Sequence, residues 1–207
     1  PLIIAGGGVH YSLATDALKR FAETFAIPVA ETQAGKSALP WDHALNVGGI
    51  GVTGSLAANL LAKDADLVIG LGTRLQDFTT SSKQAFQHPE VEFLNINLNA
   101  YDAVKMMGTP ILGDVKEALL ALTGALKEKG YQSAYDKADI QMLKDRWNAE
   151  VDRLYEVEAE NGLPQTRVLG EINRALDDED IIINAAGSMP GDLHRLWRSK
   201  HPKTYHM

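Results

Sequence analysis

The sequence predicts an α/β fold: a doubly wound parallel sheet with helices on both faces, then a bridging helix and a partial second α/β unit. Three observations carry that expectation. Short apolar runs such as Leu2-Ile3-Ile4-Ala5 and Leu67-Val68-Ile69 show no polar alternation, as strands covered on both faces should not. Amphipathic helical stretches separate these runs. Glycines cluster where the runs end, at Gly6-Gly7-Gly8 and Gly70-Leu71-Gly72.

The elements follow in order. Leu2 to Ala5 is the first strand. A helix is predicted from about Ser12 to Ala26, because Leu13, Ala17, Leu18, Phe21, Ala22 and Phe25 recur at spacings of three and four and form one stripe. Ser12 is its expected N-cap, with Asp16 in the first turn where the helix dipole favours a carboxylate. Pro28 to Thr32 is the second strand. A glycine-rich connection then runs from Gln33 to Gly54, and connections of that length inside a compact domain tend to be functional. A short helix over about Ser55 to Ala62 leads to a strand at Asp66–Gly72, and another strand spans Val91–Leu98. Pro110-Ile111-Leu112-Gly113 precedes a helix for which Asp114 and Glu117 have capping-box spacing. From about Gln132 to Glu160 the stretch is polar. Ile140, Leu143, Trp147, Val151, Leu154 and Val157 mark a helix burying one narrow stripe, the pattern of a bridge. After Leu163-Pro164 a helix carrying Val168, Leu169, Ile172 and Leu176 and a strand at Ile181–Ile183 open a second α/β unit, which runs into Ala186-Gly187-Ser188. The expected division is 1–129, 130–162 and 163–207. Pro1 already opens a buried strand and Met207 follows no evident closing element, so the sequence reads as a piece of a longer polypeptide.

Composition narrows the function. The 207 residues are 45% hydrophobic and 23% charged, which excludes a disordered chain, a collagen-like repeat and a coiled coil. A net charge of −7 disfavours nucleic acid and anionic membrane as partners. No run approaches the ~18 apolar residues of a membrane span. There is no cysteine, hence no disulfide and no thiolate chemistry, and a cytoplasmic location is expected.

Gly6-Gly7-Gly8 lies between a strand and a helix, where open α/β sheets place phosphates. The dinucleotide pattern G-x-G-x-x-G fails at its third glycine, which is Tyr11. A phosphate cradle and a ligand-free tight turn both remain open for this segment. Arg74, after Gly70-Leu71-Gly72-Thr73, reads either as a phosphate partner or, preferably, as a clamp on loop carbonyls or Asp77. His43, His88, His194, His201 and His206 show no metal-ligand spacing and read as surface or loop residues. Trp41 and Trp147 read as packing residues, and Asp177 to Asp180 as an exposed turn.

The ordered set of motifs is more specific than any one of them. Pro1 to Val9, Gly35-Lys36-Ser37-Ala38-Leu39-Pro40, His43, Gly48 to Ser55, Ala65 to Arg74 and Ile111 to Asp114 together resemble the central domain of thiamine-diphosphate enzymes of the acetohydroxyacid synthase and pyruvate oxidase type, a Rossmann-like domain. The resemblance covers about residues 1 to 127. Leu163 onward resembles the opening of the diphosphate-binding domain of the same family. Phe93 to Asn99, Pro164 to Asn173 and Lys203 to Met207 resemble its inositol-catabolic branch, in which water opens a cyclic 1,2-diketone.

That resemblance implies a C–C bond-cleaving hydrolase needing thiamine diphosphate and Mg2+, a small cyclic diketone as substrate, and a homo-dimer or homo-tetramer. It puts the activating glutamate and the Gly-Asp-Gly magnesium motif outside residues 1–207, so no catalytic or metal-binding residue is assigned and the segment alone is expected to be inactive. Gly187 and Ser188 fall where relatives touch the cofactor diphosphate, although the Gln-His pair of some relatives is missing here. Flavin-containing relatives bind FAD through loops matching Gly6–Gly8, Gly48–Ser55 and Gly72–Arg74; hydrolysis needs no flavin, so these loops are expected to be structural. Acetolactate synthase-like or malonic semialdehyde decarboxylase-like chemistry, and a stand-alone FAD- or NAD-binding module, are the alternative readings.

Overall fold

A computed structural model describes residues 1–207 throughout. The strands are β1 (Leu2–Ala5), β2 (Val29–Glu31), β3 (Asn46–Gly49), β4 (Leu67–Leu71), β5 (Glu92–Asn97), β6 (Thr109–Leu112), β7 (Ile182–Ile183) and β8 (Tyr205–His206). The helices are α1 (Gly8–Tyr11), α2 (Thr15–Phe25), α3 (Leu56–Asp64), α4 (Asp77–Thr80), α5 (Ala100–Ala103), α6 (Val115–Glu128), α7 (Lys137–Tyr155), α8 (Gln165–Ala175) and α9 (Ser188–Leu196).

The first six strands form one parallel sheet in the order β3-β2-β1-β4-β5-β6, the doubly wound arrangement the sequence predicts. The chain winds outward from β1 in one direction, returns, and winds outward from β4 in the other. β1 therefore sits at the centre, with Ile3 opposite both Val29 and Ile69. All four of its residues are fully buried. Successive strand side chains point to opposite faces, so this burial means that both faces are covered. Helix α2 packs with α6, and α3 with α7.

Three local expectations change. The predicted helix from Ser12 starts instead at Thr15, because the short α1 comes first. Ser12 ends α1, and its hydroxyl donates to the Gly8 carbonyl (2.7 Å) rather than capping α2. Leu13, placed on the buried stripe by its spacing, has φ +52° and is 62% exposed. Strand β3 lies hidden in the glycine-rich connection. Asn46-Val47-Gly48-Gly49 has little strand propensity, and the free edge of β2 imposes the conformation, with a register irregularity at Val29/Ala30. Near Met207 lies a strand that the sequence does not predict: β8 pairs in parallel with β7 across α9.

Helix α7 spans two cores. Ile140 belongs to the large core of 33 buried residues, with Leu143 and Trp147 against it, whereas Val151 and Tyr155 pack on Leu196. Leu169, Leu193, Trp197 and Tyr205 make a separate small core of four residues.

Candidate functional site

Two places merit description: the crevice at the carboxyl ends of β1 and β4, where the strand order reverses, and the loop between β7 and α9.

The crevice has a volume of about 540 Å3, with Gly7, Gly72, Arg74, Asn97, Asp102 and Asp114 in its wall. Its two glycine turns are pressed together backbone to backbone. A Cβ on Gly6 would lie 2.4 Å from the Gly72 carbonyl oxygen, and one on Gly72, which has φ +56°, would lie 2.4 Å from Gly8 Cα. The glycines are therefore required by packing. Three of the amides around this turn are committed: Gly6 N–H donates to Leu71 O (2.8 Å), Gly8 N–H to Gly72 O (3.1 Å), and Val9 N–H to Gly6 O (3.1 Å). A phosphate would meet two carboxylates, Asp102 and Asp114, with Arg74 as the single lining cation. Of the two readings of Gly6-Gly7-Gly8, the tight turn fits; a flavin dinucleotide is not supported. Arg74 is exposed, and its carbonyl accepts from Lys105 Nζ (3.0 Å); its guanidinium neither clamps Asp77 nor holds a loop carbonyl.

The β7–α9 loop is built differently. Gly187 has φ +142°, a region that only glycine adopts without strain, and it precedes the first turn of α9 with no side-chain cap. First-turn N–H groups lack intrahelical acceptors. Gly187 and Ser188 are both solvent-exposed. This leaves backbone donors and the Ser188 hydroxyl open to an incoming anion.

The carboxyl end of β2 holds this loop in place. Gln33 Nε2 donates to the Pro190 carbonyl (3.0 Å) and to the Tyr205 hydroxyl (2.9 Å), with Asn184 Oδ1 farther off at 3.4 Å. One helical turn past Pro190, His194 enters the sheet edge. Its Nε2 donates to the Glu31 carbonyl (2.9 Å), and its Nδ1 accepts from the Thr53 hydroxyl (2.9 Å). Burial and the Lys36 charge push its pKa down to about 3, so the ring is neutral at ordinary pH. Burial also raises the Glu31 carboxyl and lowers the Lys36 ammonium, each opposed by the other's charge. The Lys36 ammonium lies 5.7 Å from the Tyr205 ring centroid. No group of three or more His, Asp or Glu residues is arranged to hold a metal.

The expectation of surface or loop histidines fails at His194, which is 2% exposed. Tertiary docking explains this: the ring is buried because both nitrogens find partners on another part of the chain. Of the tryptophans, Trp41 stacks under Arg198 (4.5 Å), and Trp147 packs against the main core. Nothing local in the sequence marks Gln33, His194 or Tyr205 as site residues; the one signal is the long connection that begins at Gln33.

Residues 1–122 match the family described as thiamine pyrophosphate enzyme, central domain. The chain belongs to that family. Over its whole length it is 52% identical to 3D-(3,5/4)-trihydroxycyclohexane-1,2-dione hydrolase of Bacillus cereus (strain AH820) and 47% identical to the protein of that name from Clostridium tetani (strain Massachusetts / E88). In each case the chain spans 36% of the relative's length.

Proposed function

We propose that this chain is the central part of a thiamine-diphosphate-dependent hydrolase that opens the ring of a trihydroxycyclohexane-1,2-dione in inositol breakdown, in the cytoplasm, as a homo-oligomer. The observation that carries the reading is 52% identity, over an alignment of 231 positions that covers the whole chain, to a hydrolase named for that substrate. When bound, thiamine diphosphate supplies an electron sink for breaking a C–C bond beside a carbonyl.

What residues 1–207 contribute is binding and placement. Gly187 and Ser188 meet the cofactor diphosphate, with amides at the start of α9 and the Ser188 hydroxyl as donors. The fit is supported by the open Gly187 backbone, whose Cβ position has Pro190 Cδ at 3.8 Å as its nearest neighbour, and by the exposure of the loop. Mg2+ accompanies the diphosphate on ligands supplied by the longer polypeptide. In this reading 1–129 is the central domain, 130–162 the bridge and 163–207 the start of the diphosphate-binding domain, a division supported by the main core of 33 residues and the separate core of four within 163–207.

The test is a pair of assays with the dione, thiamine diphosphate and Mg2+. A polypeptide of the relatives' full length should open the ring, and residues 1–207 alone should show no turnover. Turnover by the short chain would overturn the reading. Turnover of pyruvate but not of the dione by the long one would move it to acetolactate synthase-like chemistry.

A further inference from the structure

We infer that Gln33 is a positioning residue for the cofactor loop: its carboxamide, carried by the central sheet, fixes where Gly187 and Ser188 present their donors. The inference rests on the proposal that those two residues meet the diphosphate. It goes further by assigning the loop's geometry to a residue about 150 positions away, on a different part of the fold.

Four observations lead there. Gln33 begins the turn that follows β2, which belongs to the large sheet, so its backbone is anchored. Thr32 Oγ1 accepts from Gly35 N–H (3.1 Å), and a Cβ on Gly35 would lie 2.0 Å from the Ala5 carbonyl oxygen. The turn cannot shift without disturbing β1. Next, the two shortest bonds of Gln33 Nε2 go to Pro190 O and Tyr205 Oη, one on each side of the loop: Pro190 in the first turn of α9, Tyr205 on β8 beside β7. Both hydrogens of the amide are thus used on the element that carries Gly187 and Ser188. Third, Gln33 Oε1 is buried with no partner. The side chain therefore acts through its donors, and a carboxylate of the same shape would set an oxygen against the Pro190 carbonyl. Finally, the loop has little else to fix it. It is exposed, its helix lacks a side-chain cap, and apart from Gln33 its near ties are Asn184 N–H and Nδ2 to His206 O (3.0 and 2.8 Å), with Gln165 Nε2 donating to Asp192 Oδ2 (2.5 Å) farther along α9. His194 anchors α9 a turn farther on, and Leu193 packs the helix into the small core of four.

The experiment uses the full-length protein and reads thiamine diphosphate affinity by quenching of tryptophan fluorescence, alongside kcat at saturating cofactor and the melting temperature without cofactor. Gln33→Met keeps the volume and removes both donors; Gln33→Glu keeps the shape and puts an acceptor-only oxygen against the Pro190 carbonyl. Both should raise the cofactor Kd at least tenfold, Gln33→Glu more, with kcat at saturation within about threefold of the parent. Tyr205→Phe removes one acceptor and should raise Kd two- to fivefold; it answers the question if the Gln33 variants do not fold. Gly187→Ala is the control for the underlying reading. If Gly187→Ala weakens cofactor binding and Gln33→Met and Tyr205→Phe do not, the positioning role is wrong and the cofactor loop stands. If Gly187→Ala also leaves Kd unchanged, the loop assignment itself falls. A lower melting temperature with unchanged Kd would make Gln33 a stability residue only and overturn the inference.

Discussion

His194 shows how a single side chain joins two parts of this molecule. A neutral imidazole has one donor and one acceptor, and the site supplies the complement of each: the Glu31 carbonyl for Nε2–H and the Thr53 hydroxyl for Nδ1. Protonation would turn the acceptor into a second donor, add a buried charge and set it near Lys36, so the folded protein resists it down to about pH 3. The unfolded chain takes up that proton near pH 6.5. Between these values the unfolded state binds more protons, so stability rises with pH and is lost on acidification, by up to about 1.4 kcal/mol per pH unit from this group. Glu31, whose carboxyl is raised by burial, acts in the opposite sense from the ordinary carboxylate range upward and offsets part of the slope. Urea midpoints measured between pH 7.5 and pH 5 should fall for the parent protein. They should fall less steeply for His194→Gln, which keeps a donor and an acceptor and does not titrate; parallel slopes would show that the ring does not carry the effect. The same contact makes Gly49 sensitive. A Cβ there would lie 2.7 Å from His194 Nε2, and a ring held at both nitrogens cannot swing away. Gly49→Ala should destabilise by about 1–3 kcal/mol through overpacking, measurable as a shift in the denaturation midpoint at constant slope.

At the level of elements, caps explain which boundaries were readable. Asp114 accepts from the N–H groups of Lys116 (2.9 Å) and Glu117 (3.3 Å), and α6 starts where the capping spacing puts it. Ser55 does more: its hydroxyl accepts from Ala58 N–H (3.0 Å) and donates to the Val47 carbonyl (2.6 Å), joining α3 to the edge strand β3. Ser55→Ala should therefore cost about 1–3 kcal/mol, the lost cap together with a buried carbonyl left without its donor. A loss below ~0.5 kcal/mol in chemical denaturation would show that the bond to β3 adds nothing. The start of α2 departs from the expected Ser12 because that hydroxyl satisfies a nearer acceptor, Gly8 O, at the end of a four-residue helix that hydrophobic periodicity does not resolve.

For the molecule as a whole, stability is unevenly distributed. The six-stranded sheet rests on 33 buried apolar residues, and the 163–207 segment on a core of four. Few buried contacts mean cheap local opening. Amides of α8 and α9 should exchange with solvent well before those of β1 and β4 under native conditions, and a uniform protection pattern would show that the docking contacts of Gln33 and His194 make the two parts one cooperative unit. The sequence by itself determined the sheet, its parallel sense, the bridging helix and the family, because buried parallel strands and amphipathic helices leave local, periodic patterns. Gly187 and Ser188 could be pointed to only through resemblance. Tertiary structure alone decided that Gly6, Gly8 and Gly72 serve backbone packing, that Asn46–Gly49 becomes a strand, and that Gln33 and His194 tie α9 to the end of β2. Those outcomes depend on partners up to about 160 residues apart, and neither hydrogen-bond complementarity nor close backbone approach over such distances leaves a periodic trace in the chain.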